Sequence, residues 1–413
     1  MKSQAFLGSN INQVKAHNVR MLLLNMLYDH NLSRVQLAER TGLSNTTITN
    51  LVAELLEQGL VTESDCLSGE TLEIRSVGRP RTGICLVPNA RYVLGIHIGV
   101  GVFRVALANL QNEILASQKA TFNINDPAET VLDDMADALV SLISDNQIDL
   151  DKILGMGVGA SGLVNFSTGV NVFAPNLNWR DMPIQAYFEN ALKTRVVVDN
   201  NVRAMALAEA YFGVGRNVES LLFVYGRIGV GAGFIYKGQV FRGSTMGAGE
   251  IGHITVLPEG GDLCRCGRSG CLETLVSEPA ILIKAAQIAK LHPDGQFARL
   301  ASEIDNNNLI EKVFMAARQG DQEIIDLLES RAYYLGCALT NVVNLLNPQL
   351  IILGGVYAQG QDLLLEPITK TVQQNAFAGL GSQVRIKATS FGWRAGLAGA
   401  AALALTNFFY LSD

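Results

Sequence analysis

Residues 247–277 gather the side chains best suited to chemistry. They read G-A-G-E-I-G-H-I-T-V-L-P-E-G-G-D-L-C-R-C-G-R-S-G-C-L-E-T-L-V-S and hold one of the five histidines and three of the six cysteines. His253, Cys264, Cys266 and Cys271 follow the spacing H-x10-C-x-C-x4-C. Three thiolates and one imidazole complete a tetrahedral zinc shell with no open position for a catalytic water, so a structural Zn2+ is expected. A disulfide is the alternative, but Cys264 and Cys266 are too close to pair easily and three cysteines leave one over. Gly267 and Gly270 suit a tight loop around a metal. Glu250, His253 and Glu273 surround this loop. Held rigidly, they suit the hydroxyls of a sugar; by spacing alone, the two glutamates equally fit supports for metal ligands or solvated loop residues.

G-E-I-G-H followed by C-x-C-G-x-x-G-C-x-E-x-x-x-S resembles the ROK family of repressors, open reading frames and sugar kinases. The likeness runs from the N-terminal helix-turn-helix pattern to N-P-x-x-I-x-L-G-G at residues 347–355. It implies that His253, Cys264, Cys266 and Cys271 bind zinc, and that Glu250, His253 and Glu273 contact sugar hydroxyls.

The 413 residues predict two or three domains, and a 48% apolar share with 17% charge supports substantial cores. A net charge of −6 argues against whole-protein adhesion to nucleic acid. It leaves room for a small DNA-binding domain, because such contacts are local. Cys66, Cys85 and Cys337 form no regular framework, which suits a reducing cytoplasm. The first ten residues lack an apolar signal core. The longest apolar run, residues 395–411, contains Gly396, Gly399, Thr406 and Asn407, and it predicts a buried terminal helix rather than a membrane span.

Near the N-terminus, Val19, Leu22, Leu23, Met26 and Leu27 recur at helical spacing. Ser33 is placed to cap a helix through Arg40, and Ser44 a second helix that Gly59 ends. Leu37, Ala38, Leu43, Ile48, Leu51, Val52 and Leu55 supply a small core. Two helices joined by the turn Thr41-Gly42-Leu43 predict a helix-turn-helix. Its second helix offers Ser44, Asn45, Thr46, Thr47, Thr49 and Asn50 to base edges, with Arg34 placed for a phosphate. That helix has no lysine or arginine, so a generic packing motif is the alternative. Short strands near residues 60–62 and 84–87 flank G-R-P-R at 78–81, which puts Arg79 and Arg81 in a minor-groove wing or, alternatively, in a solvated linker. The order of these segments resembles the ROK repressor subgroup. Residues 1–90 are therefore expected to form a winged helix-turn-helix and residues 91–413 a sugar-binding body. The first 90 residues carry eight basic and eight acidic side chains, so the body holds the whole net charge. Operator binding should depend strongly on salt and rely on a homodimer or dimer of dimers.

Alternating strand and helix signals make the body α/β, and it resembles the two-lobed actin-like ATPase fold. Segments 159–164, 174–181 and 196–201 should line the cleft between lobes, since strand ends are where α/β proteins bind ligands. They bring Ser161, Asn176, Asn200 and Asn201 as candidates; the resemblance assigns Asn176 and Asn200 to sugar hydroxyls, with turn and cap roles as alternatives. Three kinase motifs depart from the family pattern. His97 stands where an aspartate opens D-x-G-G-T, Asn201 where the catalytic aspartate falls, and Arg227-Ile228-Gly229-Val230-Gly231 where G-T-G-x-G is usual. An amide cannot serve as a general base. The expectation is a chain with no catalytic residue and no enzyme activity, a repressor released from its operator by a monosaccharide. The alternative is an ATP-dependent sugar kinase with an added DNA-binding domain. The sugar stays open among xylose, glucose and N-acetylglucosamine types.

Overall fold

The computed structural model describes residues 11–29, 31–64, 82–303 and 308–411. At the N-terminal end, α1 (Ile11–Tyr28), β1 (Leu32–Ser33), α2 (Arg34–Thr41), α3 (Asn45–Glu57), β2 (Val61–Ser64) and β3 (Gly83–Leu86) form a three-helix unit with a small sheet in the order β1-β3-β2. The caps read from the sequence are in place. Ser33 makes a capping box with Gln36, Gly42 ends α2 at φ +69°, and the Ser44 hydroxyl accepts from the Thr47 amide. Leu37, Ile48, Leu51, Val52 and Leu55 are buried, with Ala38 and Leu43 packed beside them. Arg79, Arg81 and Cys66 lie outside the described residues, while β2 and β3 pair antiparallel from Val61 with Leu86 to Ser64 with Gly83.

The body repeats one plan twice. In the first lobe, β4 (Tyr92–Gly99), β5 (Val102–Asn109) and β6 (Ile114–Thr121) form a meander. After α4 (Ala128–Asp145) comes β7 (Ile153–Ala160), then a small sheet of β8 (Leu163–Asn165), β9 (Val170–Ala174) and β10 (Trp179–Met182). Next are α5 (Ile184–Leu192), β11 (Val196–Asn200) and α6 (Asn201–Phe212). The main sheet runs β11-β7-β4-β5-β6, with β7 parallel to both β4 and β11. The second lobe opens on another meander, β12 (Ser220–Gly226), β13 (Val230–Tyr236) and β14 (Gln239–Phe241). Helices α7 (Glu273–Val276), α8 (Glu278–Leu291), α9 (Gln296–Ser302), α10 (Leu309–Arg318) and α11 (Gln322–Leu346) precede β15 (Leu350–Gly355). Helices α12 (Val356–Gln359), α13 (Gln361–Asn375) and α14 (Leu380–Gln383) and strand β16 (Arg385–Ala388) complete it, and helix α15 (Ala395–Leu405) returns to pack on β4 and β7 of the first lobe and on α6. Its sheet runs β14-β13-β12-β15-β16, again three antiparallel strands followed by two parallel ones. This duplication is the two-lobed, actin-like body that the sequence led us to expect.

Two buried helices join the lobes. Every residue of α15 is buried, as expected for the terminal apolar run. Gly157 lets its backbone approach β7, since a Cβ there would lie 2.0 Å from the Ala400 carbonyl oxygen. Among the described residues no helix is long and apolar enough to cross a membrane. Helix α6 is also buried along its whole length. At its far end Glu209 accepts hydrogen bonds from the amides of Val214 and Ser390 and the hydroxyls of Thr389 and Ser390, fixing the helix to the segment after β16. A buried carboxylate is tolerable only when satisfied in this way.

Candidate functional site: a polar cleft beside a cysteine cluster

The ligating atoms of His253, Cys264, Cys266 and Cys271 all lie within 4.8 Å of one another. Cys264 Sγ is 3.6 Å from His253 Nδ1, and Cys266 Sγ is 3.6 Å from Cys271 Sγ. Ligands about 2.3 Å from a tetrahedral ion stand roughly 3.7 Å apart, so the donors sit at the edge length a metal requires. The cysteines are free thiols, which removes the disulfide alternative. Gly267 and Gly270, at φ +87° and +76°, turn the loop between the ligands. The Arg268 backbone amide, hydrogen-bonded to Cys266, draws that thiol down to about 6, whereas burial pushes Cys271 up to about 12 and raises Cys264. Cys266 is thus the thiol that the protein's own hydrogen bonds most favour as thiolate. This cluster is capable of coordinating a metal ion.

The same loop forms one wall of a cleft of about 490 Å³, a typical ligand-site size. Ser161, Asn176, Asn200, Asn201, Glu250, His253 and Glu273 all line it. Residues up to 112 positions apart in the chain (161 to 273) therefore converge on one cavity. His253 turns Nδ1 toward Cys264, and the residue also lines the cleft. Glu273 accepts from the Val230 amide at 3.0 Å, and its other oxygen lies 3.9 Å from Cys264 Sγ, linking cluster and cleft. Glu250 opens to solvent through the cleft. Burial by the walls nevertheless raises its pKa above the ordinary value, with His253 and Arg203 opposing and Glu273 reinforcing the rise.

The amides have divided duties. Asn200 caps α6, accepting from the Val202 and Arg203 amides at 2.9 and 3.2 Å and donating to the Gly162 carbonyl. Asn201 donates to Ser161 Oγ at 3.2 Å, and that hydroxyl donates to the Ile98 carbonyl. Asn176 accepts from Arg265 at 2.6 Å. Arg265 was not among the sequence candidates, although its place between two metal-type cysteines was a usable signal. Asp199, next to the kinase base position, points away from Asn201 into the core. It is fully buried between Arg203 (2.8 Å) and Arg242 (2.8 Å). Arg203 also donates to the carbonyls of Met246 and Val164, which ties the loop leading to Glu250 onto α6.

His97 is buried, and burial together with the cations Arg104 and Arg227 lowers its pKa from 6.5 to about 3. The unfolded chain therefore binds a proton below pH 6.5 that the folded chain refuses until about pH 3, so stability is full above 6.5 and falls as pH drops through this window. We expect His97→Leu to flatten urea-denaturation stability between pH 6.5 and 5, where the wild-type slope includes up to about 1.4 kcal/mol per pH unit from this ring. Identical slopes would contradict it.

On the N-terminal unit, Asn45, Thr46, Thr49 and Asn50 are exposed on the first turns of α3. The hydroxyls of Ser44 and Thr47 bond each other, and that of Thr49 returns to the Asn45 carbonyl. Arg34 is engaged by Glu63 at 2.6 Å, which limits its freedom to meet a phosphate.

With the geometry described, the class is defined: residues 93–407 match the ROK family, and the chain belongs to that family. Residues 18–66 match the MarR family, so a small helical N-terminal region of that type precedes the body. The chain is 33% identical to a glucokinase of Halalkalibacterium halodurans over 75% of its length and 93% of that protein. A crystal structure of a ROK family transcriptional regulator, homolog of the E. coli MLC protein, superposes with a TM-score of 0.77 at 27% identity, covering 95% of this chain and 98% of that one. A ROK family glucokinase from Streptomyces griseus, solved in complex with glucose and AMPPNP, superposes with a TM-score of 0.69 at 29% identity over 76% of this chain and 100% of that one. These findings correct the expectation of no enzyme activity. The body is shared with working sugar kinases, which favours retained catalytic capacity, so the changes at His97, Asn201 and Arg227 do not by themselves exclude phosphoryl transfer. The general character established is that of a ROK sugar-responsive protein, regulator or kinase in type.

Proposed function

We propose that the chain is a sugar-responsive, DNA-binding transcriptional regulator, a repressor whose operator is released when a monosaccharide occupies the cleft. In this reading residues 1–90 are a winged helix-turn-helix, residues 91–413 the sugar-binding and dimerising body, and a structural Zn2+ sits on His253, Cys264, Cys266 and Cys271. The single observation that carries it is the convergence of seven polar candidates on a cleft continuous with the cysteine cluster. Glu250 and Glu273 accept from sugar hydroxyls, while His253 Nε2 donates. Zinc holds the imidazole and, through Cys264, keeps Glu273 in place.

Coupling has a physical route. Helix α6 starts at the cleft with Asn200 and Asn201 and ends at Tyr211 and Phe212, in the same apolar cluster as Leu22, Leu23, Met26 and Leu27 of α1. A sugar that prefers one cleft closure would bias the spacing of two DNA-binding heads in a homodimer or dimer of dimers. Asn45, Thr46 and Asn50 read the major groove, with Arg79 and Arg81 at the wing.

A mobility-shift titration with duplexes selected from a random pool tests this reading. Specific binding should be salt-dependent and weakened by sugar. Asn50→Ala should reduce specific affinity by about 5–150-fold, the worth of one base contact. Glu250→Ala should abolish the sugar response while leaving DNA affinity intact. Duplex binding that no sugar alters would reject the regulator reading.

A second reading, ATP-dependent phosphorylation of the sugar by the same body, is favoured by the glucokinase similarity. Coupled ADP release decides it: turnover with a monosaccharide, lost in Glu250→Ala, establishes catalysis. Absence of turnover across pentoses, hexoses and N-acetylated sugars rejects it.

A further inference from the structure

The N-terminal unit is fastened to one lobe and touched by the other. Its last strand, β3, leads through Pro88–Ala90 into β4 of the first lobe. The Pro88 carbonyl accepts from the Leu110 amide at 3.0 Å, and Asn89 Oδ1 accepts from Asn109 Nδ2 at 3.2 Å. Proline fixes φ, so a connection held by these bonds has little freedom. Leu110, between β5 and β6, has a second fastening. Its carbonyl accepts from the Tyr410 hydroxyl at 2.7 Å. Tyr410 is buried in the single π-helical turn, Thr406–Tyr410, that extends α15, and α1 packs against that turn. The contact from the other lobe comes through α6. This helix packs on β12 and β13, and near its end the Tyr211 hydroxyl donates to the Gly238 carbonyl in the β13–β14 turn at 2.9 Å. Tyr28, the last residue of α1, packs against the apolar cluster that holds both Tyr211 and Tyr410. Arg216 Nη2 donates to the Phe212 carbonyl at 3.0 Å, and its charge acts on Tyr28 and Tyr410 alike.

Resting on the regulator reading above, we propose that Tyr28, Tyr211 and Tyr410 form a joint that converts movement between the lobes into a turn of the N-terminal unit. Tyr410 and Leu110 fix the pivot to the first lobe. Tyr211 carries the position of the second lobe to Tyr28. The two central helices, α6 and α15, pack on each other along the seam between the lobes. Domain closure commonly proceeds by small sliding of packed helices. A slide of α6 along α15 moves Tyr211 past a unit whose pivot stays still, and the end of α1 must follow. The ring of Phe212 meets that of Tyr410 edge-on at 5.9 Å, so the same slide disturbs the contact between the two anchors. The opposite end of α6 is capped by Asn200 in the cleft wall, so a ligand there bears on the same helix. Tyr28, Tyr211 and Tyr410 do not line the cleft, and they act as positioning residues.

Duplex binding by the full chain, followed by fluorescence anisotropy with and without saturating sugar, tests the joint. The duplex is one selected from a random pool, and the sugar is whichever of glucose, xylose and N-acetylglucosamine binds in calorimetry. In the wild type the sugar should weaken duplex binding about 5–150-fold. Tyr28→Leu should bring that factor close to one. Tyr211→Phe keeps the ring and deletes the bond to Gly238, and it should lower the factor about 2–10-fold. Neither substitution touches the cleft, so both variants should bind sugar within about twofold of wild type. The wild-type factor retained in Tyr211→Phe overturns the joint, whatever Tyr28→Leu does, and leaves the regulator reading standing. Sugar affinity that falls in step with the factor overturns the joint too, because Tyr211 then acts on the cleft itself. Wild-type duplex binding that no sugar alters overturns the regulator reading and the joint with it.

Discussion

Cys266→Ser is expected to abolish stoichiometric metal binding and to lower sugar affinity at least about 100-fold. Cys266 is the most exposed of the four ligands, so its replacement disturbs the core least and isolates the metal's contribution. It is also the thiol most readily ionised, through the Arg268 amide. Its serine counterpart would be a neutral hydroxyl and a poor zinc ligand. Structural zinc sites are worth about 10–16 kcal/mol in small domains, far more than the loop could recover from its own contacts. Without the ion, His253 and Cys264 lose their common anchor, and Glu273, 3.9 Å from Cys264 Sγ, loses its lateral support. Metal analysis of purified protein and sugar calorimetry check this together. A variant that keeps one zinc per chain, or loses zinc yet keeps full sugar affinity, contradicts the bracing role. The wild-type protein should also release protons on taking up zinc, because Cys264 and Cys271 must ionise.

Asp199→Leu is expected to destabilise the fold by about 3–5 kcal/mol, because it removes one partner of a buried ion cluster. Arg203 is 3% exposed and would be left with an uncompensated charge. Arg242, at 22% and stacked over Phe166 at 3.7 Å, can reach water more easily, so the larger share of the penalty falls on Arg203. Replacing both charges, in Asp199→Leu with Arg203→Met, should recover most of the loss, since apolar side chains need no counter-ion. Chemical denaturation of the two variants measures the difference. A single variant within about 1 kcal/mol of wild type would mean that the cluster contributes little. The double variant should still bind sugar less tightly, because Arg203 holds the Met246 carbonyl and with it the loop of Glu250.

Local features were legible in the residues alone. Capping hydroxyls, turn glycines and the spacing of leucines act over a few positions, so Ser33, Gly42, Ser44 and Gly59 marked the N-terminal helices, and the buried face of α3 followed from its period. The two-lobed plan was legible only through the resemblance to the actin-like fold; its halves share a strand order, which no short-period repeat betrays. The inactivity inferred from three altered motifs was overturned by the kinship of the whole body, because single positions carry less information than 315 matched residues.

By itself, the sequence pointed to the cysteine cluster through ligand type, count and spacing, whereas the sugar roles of the cleft residues came with the family resemblance. Only the tertiary structure decided how they are used. Asn200 is a helix cap, Asp199 is locked between two arginines, Arg265 reaches Asn176, and His97 is buried opposite Arg104 on β5. Each of these depends on neighbours distant in the chain. Hydrogen bonding and desolvation are set by distance in space, and a linear order of residues does not contain it.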